Sequence, residues 1–214
     1  MIKFEKLGIF LSKPIAFLFV LIYLSQSVLI IYLVDERFNL QKQIDFQQKR
    51  ITELEEKLQI LQVIEDFQIG FDEKERLELA NVIADECDKY DYDPLFLVAL
   101  IITESSFKRG QISSMGAEGL MQIRPFVGKS LAHKLGIDWE AGTTLFEPNL
   151  NVRMGSRHLF EMILKFKDVR KAVISYNLGE TELRSRERLN KPLPKSYLNK
   201  VMENYNMLKE RYLS

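Results

Sequence analysis

The sequence is poor in the residues that usually form disulfides and metal sites. Among 214 residues there is one cysteine, Cys87, which excludes an intrachain disulfide. The two histidines are His133 and His158. His158 and Glu161 would share one helix face, but no third ligand accompanies them, so we expect neither a metal nor another cofactor. Basic and acidic residues total 30 each, so the net charge does not indicate a nucleic-acid partner.

Charge is absent from one long apolar run near the N-terminus, between Ile15 and Val34. Its length matches the ~20 residues that a helix needs to cross a bilayer. No small-residue cleavage site precedes Asp35, so the pattern favours an uncleaved, single-pass anchor in the cytoplasmic membrane over a signal peptide. Residues 1–14 would then be a short cytoplasmic segment. Basic residues on the two sides of the run nearly balance, so they do not decide which end of the span faces the cytoplasm.

Proline and glycine are missing from the polar segment that follows, residues 36–66. Apolar residues recur there at heptad spacing, interrupted by Gln47, at Leu40, Ile44, Ile51, Leu54, Leu58 and Leu61. Residues 35–70 therefore read as a helical stalk, with two alternatives open: a coiled-coil homodimer, or a single helix whose stripe packs on the next domain. A helix of ~30 residues would be ~45 Å long and would hold that domain away from the bilayer.

Residues 71–214 read as one mainly helical domain. One helix is expected over residues 72–90, and a terminal helix after Pro194 carries a periodic stripe that we expect to pack in the core. That stripe comprises Tyr197, Leu198, Val201, Tyr205, Leu208 and Tyr212. Other helices are predicted to begin at Asp93-Pro94, Glu147-Pro148 and Asp168. Aspartate is a common helix cap, and proline fits the first position of a helix.

The helix that begins at Asp93-Pro94 is apolar nearly all round and ends near Glu104. A carboxylate at the end of a buried helix is costly to ionise, so it can keep its proton near neutral pH and act as a general acid. An ordinary solvated helix end is the alternative. Gly110, Gly116 and Gly119 follow and allow an irregular backbone that a substrate can approach closely, which favours the acid.

Four blocks in a fixed order then resemble the lytic transglycosylase domain of the soluble-transglycosylase (SLT) type. They are Glu104-Ser105, the segment from Ser113 to Ile123 with Pro125, the segment from Phe146 to Val152 with Gly155 and Leu159, and Ala172 to Gly179. The resemblance covers roughly two thirds of the chain. It implies a lysozyme-like, goose-type fold and an enzyme that acts on the glycan strands of peptidoglycan, outside the cytoplasmic membrane.

The family's mechanism, carried over by resemblance, gives Glu104 two successive roles. Glu104 would protonate the β-1,4 glycosidic oxygen between N-acetylmuramic acid and N-acetylglucosamine. It would then accept the proton of the C6 hydroxyl, which closes a 1,6-anhydro ring. The resemblance also implies that Ser113, Met121 and Gln122 line the substrate cleft. Tyr176 would orient the acid, and Asn177 completes the same motif. Ser175 and Leu178 depart from the family's motif.

Two other functions remain open on the sequence. A muramidase on the same fold would use an acidic residue such as Asp138 or Glu140 to activate water, because glycosidases usually employ two carboxylates. A non-catalytic, wall-binding scaffold would work through the stalk. The presence of Glu104, Gln122 and Tyr176 together argues against the scaffold, since a binding module has no need of the acid.

Overall fold

The computed structural model describes residues 2–4, 9–68 and 70–212. Residues 1 and 5–8 of the predicted segment 1–14, Ile69 of the predicted stalk and residues 213–214 of the predicted domain lie outside this part. The chain divides into two compact units, Met1–Glu53 and Leu54–Ser214. The predicted domain boundary at Gly70 therefore differs from the boundary between these units.

The first unit contains two short strands and most of a long helix. β1 (Ile2–Phe4) pairs antiparallel with β2 (Ile9–Leu11), with Ile2 opposite Leu11. Helix α1 (Lys13–Phe67) follows, and by length and composition it could cross a membrane, with a mean hydropathy of 2.4 over its most apolar window. Within the apolar run, the hydroxyls of Ser25 and Ser27 donate to the carbonyls of Ile22 and Tyr23, which satisfies these polar groups inside the helix.

The second unit is mainly α, as predicted. Its helices are the end of α1, then α2 (Glu73–Tyr90), α3 (Pro94–Ser105), α4 (Pro125–Leu135), α5 (Pro148–Phe166), α6 (Val169–Leu178), α7 (Glu180–Arg188) and α8 (Ser196–Tyr212), with a 3₁₀ turn at Thr144–Phe146. The expected caps Asp93 and Asp168 each accept a backbone N–H of the helix they precede. Asp72, which was not predicted as a cap, does the same for α2. Pro148 begins α5.

Helix α3 forms the centre of this unit and packs against α2 and α8. The side chains from Leu97 to Ile101 are fully buried, which accounts for the almost uniformly apolar sequence of this helix. Helix α5 packs in turn against α2, α4 and α6. The acid at the end of α3 is thus carried by a helix whose side chains are mostly buried in the core.

The last four turns or so of α1, from Leu54 to Phe67, also belong to the second unit. Ile60, Val63 and Ile64 are completely buried, and Gln59 Nε2 donates to the carbonyl of Tyr212 on α8 at 2.9 Å. These buried residues are not the predicted heptad stripe. Leu40, Ile44, Ile51, Leu54 and Leu58 are each at least 46% exposed in the single chain, whereas Leu61 is half-buried against the core. The segment that packs on the domain therefore uses a different face of the helix.

Candidate active site

Glu104 lies in the last turn of α3, where the helix leaves the core. The next residue but one, Ser106, ends the helix in the left-handed conformation, with φ of 52°. The Glu104 side chain is half-buried. Burial raises the pKa of its carboxyl to about 7, against smaller lowering effects from a Tyr197 hydrogen bond and the Lys200 charge. Glu104 can therefore hold or release a proton near neutral pH, as the sequence predicted.

Tyr197, at the start of α8, donates its hydroxyl hydrogen to Oε1 of Glu104. Burial raises the pKa of Tyr197 well above its usual range, and the neighbouring Glu104 charge raises it further, so the phenol remains a donor. The sequence stripe on α8 predicted core packing for Tyr197, and its part in the site was missed. Its helical periodicity alone could not distinguish it from its neighbours, because they share the same apolar face.

Tyr176 had been expected to orient Glu104, but its hydroxyl donates elsewhere, to the carbonyl of Met121 at 2.8 Å. The Tyr176 ring lines the same cleft as Glu104, and burial, then the Glu104 charge, raises the pKa of its hydroxyl. The expectation that Met121 lines the cleft is not met by its side chain, which is fully buried. The Tyr176 hydroxyl is thus bonded to the backbone of the loop that contains Gly110, Gly116 and Gly119, called the glycine-rich loop below.

The glycine-rich loop is held by the side chain of Asn151, on α5. Asn151 Oδ1 accepts from the backbone N–H of Met121 at 2.7 Å, and its Nδ2 donates to the carbonyls of Glu118 and Leu145 at 3.0 and 2.8 Å. The sequence included Asn151 in a motif but did not predict this role. Since Asn151 is completely buried, all these bonds are sheltered from water.

Gly119 allows this close approach. It has a φ of +80°, and a Cβ atom there would lie 2.2 Å from Asn151 Nδ2 and 2.2 Å from the Leu145 carbonyl oxygen. The space is therefore filled by protein and not left for a sugar chain, unlike the interpretation made from the sequence. Gly155 is also closely packed, because its Cβ would lie 2.3 Å from Met121 Sδ.

Ser113 and Gln122 both line the cleft and both stabilise its loop. Ser113 Oγ accepts from the N–H of Ala117 at 3.0 Å. Gln122 has a φ of 48°, and its Nε2 donates to the carbonyls of Gln111 and Gly119 at 3.0 and 2.8 Å. Among the residues that the structure describes, these bonds leave the carbonyl oxygen of the Gln122 amide for a ligand. The structure thus brings both residues to the site where the sequence predicted them.

The cleft has a volume of about 910 Å³, within the range of ligand sites in proteins. Its walls come from the end of α3, the loop after it, one face each of α4 and α5, and the junction of α6 and α7. The predicted residues that line it are Glu104, Ser113, Gln122, Tyr176 and Asn177. Asp138 and Glu140, the candidates for activating water, are exposed and lie outside this lining.

The cleft contains three further carboxylates in the part of the chain that the structure describes, and each forms an ion pair. Glu161 pairs with Lys134 at 2.8 Å and with Arg157 at 3.1 Å, Glu180 pairs with Lys165 at 2.6 Å, and Glu182 pairs with Arg186 at 2.8 Å. The hydrogen bond from Lys165 lowers the pKa of Glu180. At Glu161, burial raises the pKa, but the bonds from Lys134 and Arg157 outweigh it and lower the pKa.

This arrangement can perform proton transfer by a single group. Glu104 has its pKa raised to about 7 and a fixed hydrogen-bond donor, whereas the other cleft carboxylates are engaged in ion pairs. Across the described residues, no cluster of three or more potential metal ligands is present. The chemistry that the site can support is general acid catalysis followed by general base catalysis by the same carboxyl.

A family model described as the transglycosylase SLT domain matches residues 81–207. A transglycosylase of Enterobacteria phage PRD1 is 32% identical over 120 residues, which is 56% of this chain and 40% of the phage protein. The chain therefore spans less than half the length of this curated relative. The family match includes every predicted site residue from Glu104 to Asn177.

Two solved structures share the fold at low sequence identity. The lytic transglycosylase Slt of Pseudomonas aeruginosa, an inactive mutant, superposes with a TM-score of 0.53 and 21% identity, over 61% of this chain and 24% of that one. The 70 kDa soluble lytic transglycosylase of Escherichia coli gives a TM-score of 0.56 and 18% identity, over 70% and 25% of the two chains. These likenesses confirm the predicted mainly α, lysozyme-like fold of the SLT type.

Proposed function

The chain belongs to the transglycosylase SLT domain family, and we propose that it is a membrane-anchored peptidoglycan lytic transglycosylase that leaves 1,6-anhydromuramic ends. One observation carries this proposal. Glu104 is the single cleft carboxylate, among the residues that the structure describes, whose pKa is raised to about 7 and which holds no ion pair at short distance. The phage relative, named a transglycosylase, supports the same reaction class.

In the first step, protonated Glu104 donates its proton to the glycosidic oxygen as the bond to C1 of N-acetylmuramic acid breaks. The hydrogen bond from Tyr197 then stabilises the carboxylate that forms. In the second step, that carboxylate accepts the proton of the C6 hydroxyl while the C6 oxygen bonds to C1. Glu104 ends the cycle protonated, so the reaction consumes no water and needs no second carboxylate.

The geometry gives a muramidase less support. An enzyme that adds water needs a base or nucleophile opposite the acid. Asp138 and Glu140 do not line the cleft, and the other cleft acids are committed to lysine and arginine partners. A second carboxylate would have to leave its ion pair before it could act.

The membrane anchor is part of the proposal. The apolar side chains from Ile15 to Val34 are exposed along α1, and a bilayer would cover them. We place the unit Leu54–Ser214 outside the cytoplasmic membrane because peptidoglycan lies there. Flanking charges do not decide this orientation, so it depends on the proposed substrate.

A parallel homodimer through the exposed stripe of α1 also belongs to the proposal. Ile44 and Ile51 at one core position and Leu40 and Leu54 at the other form the composition that favours parallel, two-stranded coiled coils. Arg50 and Glu55 flank this stripe at positions where they would pair across two parallel helices. Light scattering in detergent should show that the chain is a dimer. Ile51→Asp should dissociate this dimer, and the control Thr52→Asp should leave it intact. A monomeric unsubstituted chain would refute the proposed homodimer.

The test of the reaction is digestion of purified sacculi by the full-length chain in detergent, followed by mass analysis of the fragments. We expect anhydro ends, which are lighter by one water than reducing ends. Glu104→Gln should abolish release, with a loss of at least ~10²-fold. Glu140→Gln is the matched control and should release the same products at an unchanged rate. Reducing ends alone would identify a hydrolase instead.

A further inference from the structure

His158 is a cleft-lining group that the proposed reaction does not use. It lies on the face of α5 that forms one wall of the cleft, together with Glu161, Met162 and Lys165. These positions are three, four and seven residues after His158, so they form one helical stripe along the cleft. The imidazole ring packs against Tyr176, with ring centroids 5.2 Å apart and an interplanar angle of 52°.

The ring nitrogens of His158 form no hydrogen bond with any other residue in the described part of the chain. Tyr176, whose ring packs against His158, donates its hydroxyl hydrogen to the carbonyl of Met121 instead. A half-buried imidazole without a partner is costly unless solvent or a ligand supplies one. Because the ring lines the cleft, a ligand in the cleft can supply that partner.

The surroundings of His158 keep its ring neutral. Burial, the largest effect, lowers its pKa to about 4. Glu161 on the same helix and Glu180 on α7 would favour the cation, but Lys165 on α5 and Lys134 on α4 oppose them. Tyr176 faces it from α6 as a neutral phenol. Neutral imidazole presents one N–H donor and one nitrogen acceptor, which suits an uncharged group that can also donate and accept.

We propose that His158 is a substrate-binding residue that hydrogen-bonds an uncharged hydroxyl or amide group of the N-acetylated sugar chain, while its ring is held by Tyr176. The inference rests on the proposed function, since the sugar chain is the substrate named there. His158 does not transfer a proton, because a neutral imidazole with so low a pKa is a weak base. Its contact is made equally in the bound and reacting states, so it acts on binding.

The first test measures binding without turnover. Full-length chain with Glu104→Gln, in detergent, is titrated calorimetrically with an uncharged N-acetylglucosamine hexamer and cosedimented with purified sacculi. Adding His158→Phe keeps a ring against Tyr176 but removes the donor and the acceptor. We expect affinity for both probes to fall about 5- to 10-fold, the effect of one lost hydrogen bond. His133→Phe, at an exposed histidine outside the cleft lining, is the matched control and should change neither affinity.

The second test separates binding from folding. With Glu104 intact, His158→Phe should raise KM for sacculi while kcat changes less than twofold, because a uniform binding contact is lost. His158→Gln restores a donor and an acceptor and should recover part of the affinity. Thermal unfolding of each variant shows whether the fold is intact; a His158→Phe chain that unfolds near the control and still binds weakly supports the inference.

Unchanged affinity in the His158→Phe chain would overturn the inference. Loss of sacculus binding with normal hexamer binding would also overturn it, because the contact would then be to a group that the sugar chain of the hexamer lacks. If the unsubstituted chain binds both probes but cleaves no glycan, the proposed reaction is wrong. The titrations then still decide whether His158 binds the sugar chain. If the Glu104→Gln chain binds neither probe, both proposals fail.

Discussion

The hydroxyl of Tyr197 donates a hydrogen bond to the carboxyl of Glu104, and this bond joins the first helix of the site to the last helix of the chain. Residues 93 positions apart thus form one functional pair. The bond favours the charged carboxylate, whereas burial favours the neutral acid, and burial is the larger of the two effects. The balance places the pKa of Glu104 near neutrality, where one group can serve as acid and then as base.

Tyr197→Phe should raise the pKa of Glu104 further above its ordinary value, because it removes a donor to the carboxylate. The alkaline limb of the pH profile of kcat/KM should therefore move to higher pH. Turnover at neutral pH should fall by roughly 10- to 100-fold, since the forming carboxylate loses a stabilising bond of about 1.5–3 kcal/mol. The measurement is kcat/KM for sacculus solubilisation from pH 5 to 9.

Tyr205→Phe is the control for that variant, because Tyr205 lies on the same helix and donates to Asp93 at 2.5 Å, away from the acid. It should leave the pH profile unchanged. Tyr176→Phe loses a bond to the Met121 carbonyl and should likewise leave the alkaline limb in place while reducing turnover through the loop. A shifted limb with Tyr176→Phe, and an unshifted one with Tyr197→Phe, would show that the sequence-based assignment of Tyr176 is right after all.

Glu104→Gln should stabilise the fold at alkaline pH. In the folded chain the pKa of Glu104 is raised to about 7 from 4.5, so folding favours its protonated form. That contribution is fully present below pH 4.5 and is lost as the pH rises to about 7. The full loss is about 3 kcal/mol at ~1.4 kcal/mol per pKa unit. Thermal unfolding in detergent at pH 4.5 and 8 should show the variant gaining on the parent only at pH 8; an equal difference at both pH values would contradict the buried acid.

Gly119→Ala should be far more damaging than Gly116→Ala. Both glycines have positive φ, of +80° and +72°, so each substitution introduces backbone strain of about 1–2 kcal/mol. The added Cβ meets nothing within 4 Å at Gly116, but at Gly119 it collides with Asn151 and the Leu145 carbonyl. We expect Gly119→Ala to lose most activity and at least ~3 kcal/mol of stability. Similar unfolding midpoints for the two variants would refute the role of Asn151 in holding the loop.

A chain shortened to residues 54–214 should fold more stably than one shortened to 71–214. The shorter piece lacks Ile60, Val63 and Ile64, and burial of each such side chain contributes about 1.5–3 kcal/mol. It also loses the 2.7 Å ion pair between Asp66 and Arg211 on α8. Denaturant unfolding of the two pieces should differ by about 4 kcal/mol or more. Coincident unfolding curves would show that the end of α1 is only an appendage.

The full-length chain should stay in the membrane fraction after alkaline and high-salt washing, because its apolar run is long enough to span a bilayer. Protease added outside the cytoplasmic membrane should remove the C-terminal unit. A soluble mature protein beginning near Asp35 would identify the run as a signal peptide. Protection of the unit from external protease would separate it from peptidoglycan and refute the proposed function.

Much of the fold was predictable because local signals acted alone. Asp93 followed by a proline, and a run without polar residues, define α3 whatever surrounds it, and the same holds for the cap at Asp168. Helices α4 and α7 were not predicted individually, since they lack a strong cap and carry few buried residues. The heptad pattern of α1 correctly indicated a helix, but it did not indicate that Ile60, Val63 and Ile64 pack on the domain.

The sequence by itself determined the helical architecture, the position of Glu104 at the end of a buried helix, and the order of the motif blocks. These depend on periodicity, caps and the cost of burying charge, which act within a few turns of one helix. Only the tertiary structure decided which tyrosine donates to Glu104, that Asn151 holds the loop at Gly119, and that His158 lines the cleft beside Tyr176. Each of these depends on contacts between helices far apart in the chain, and a side chain's hydrogen-bond partner is set by where its helix packs.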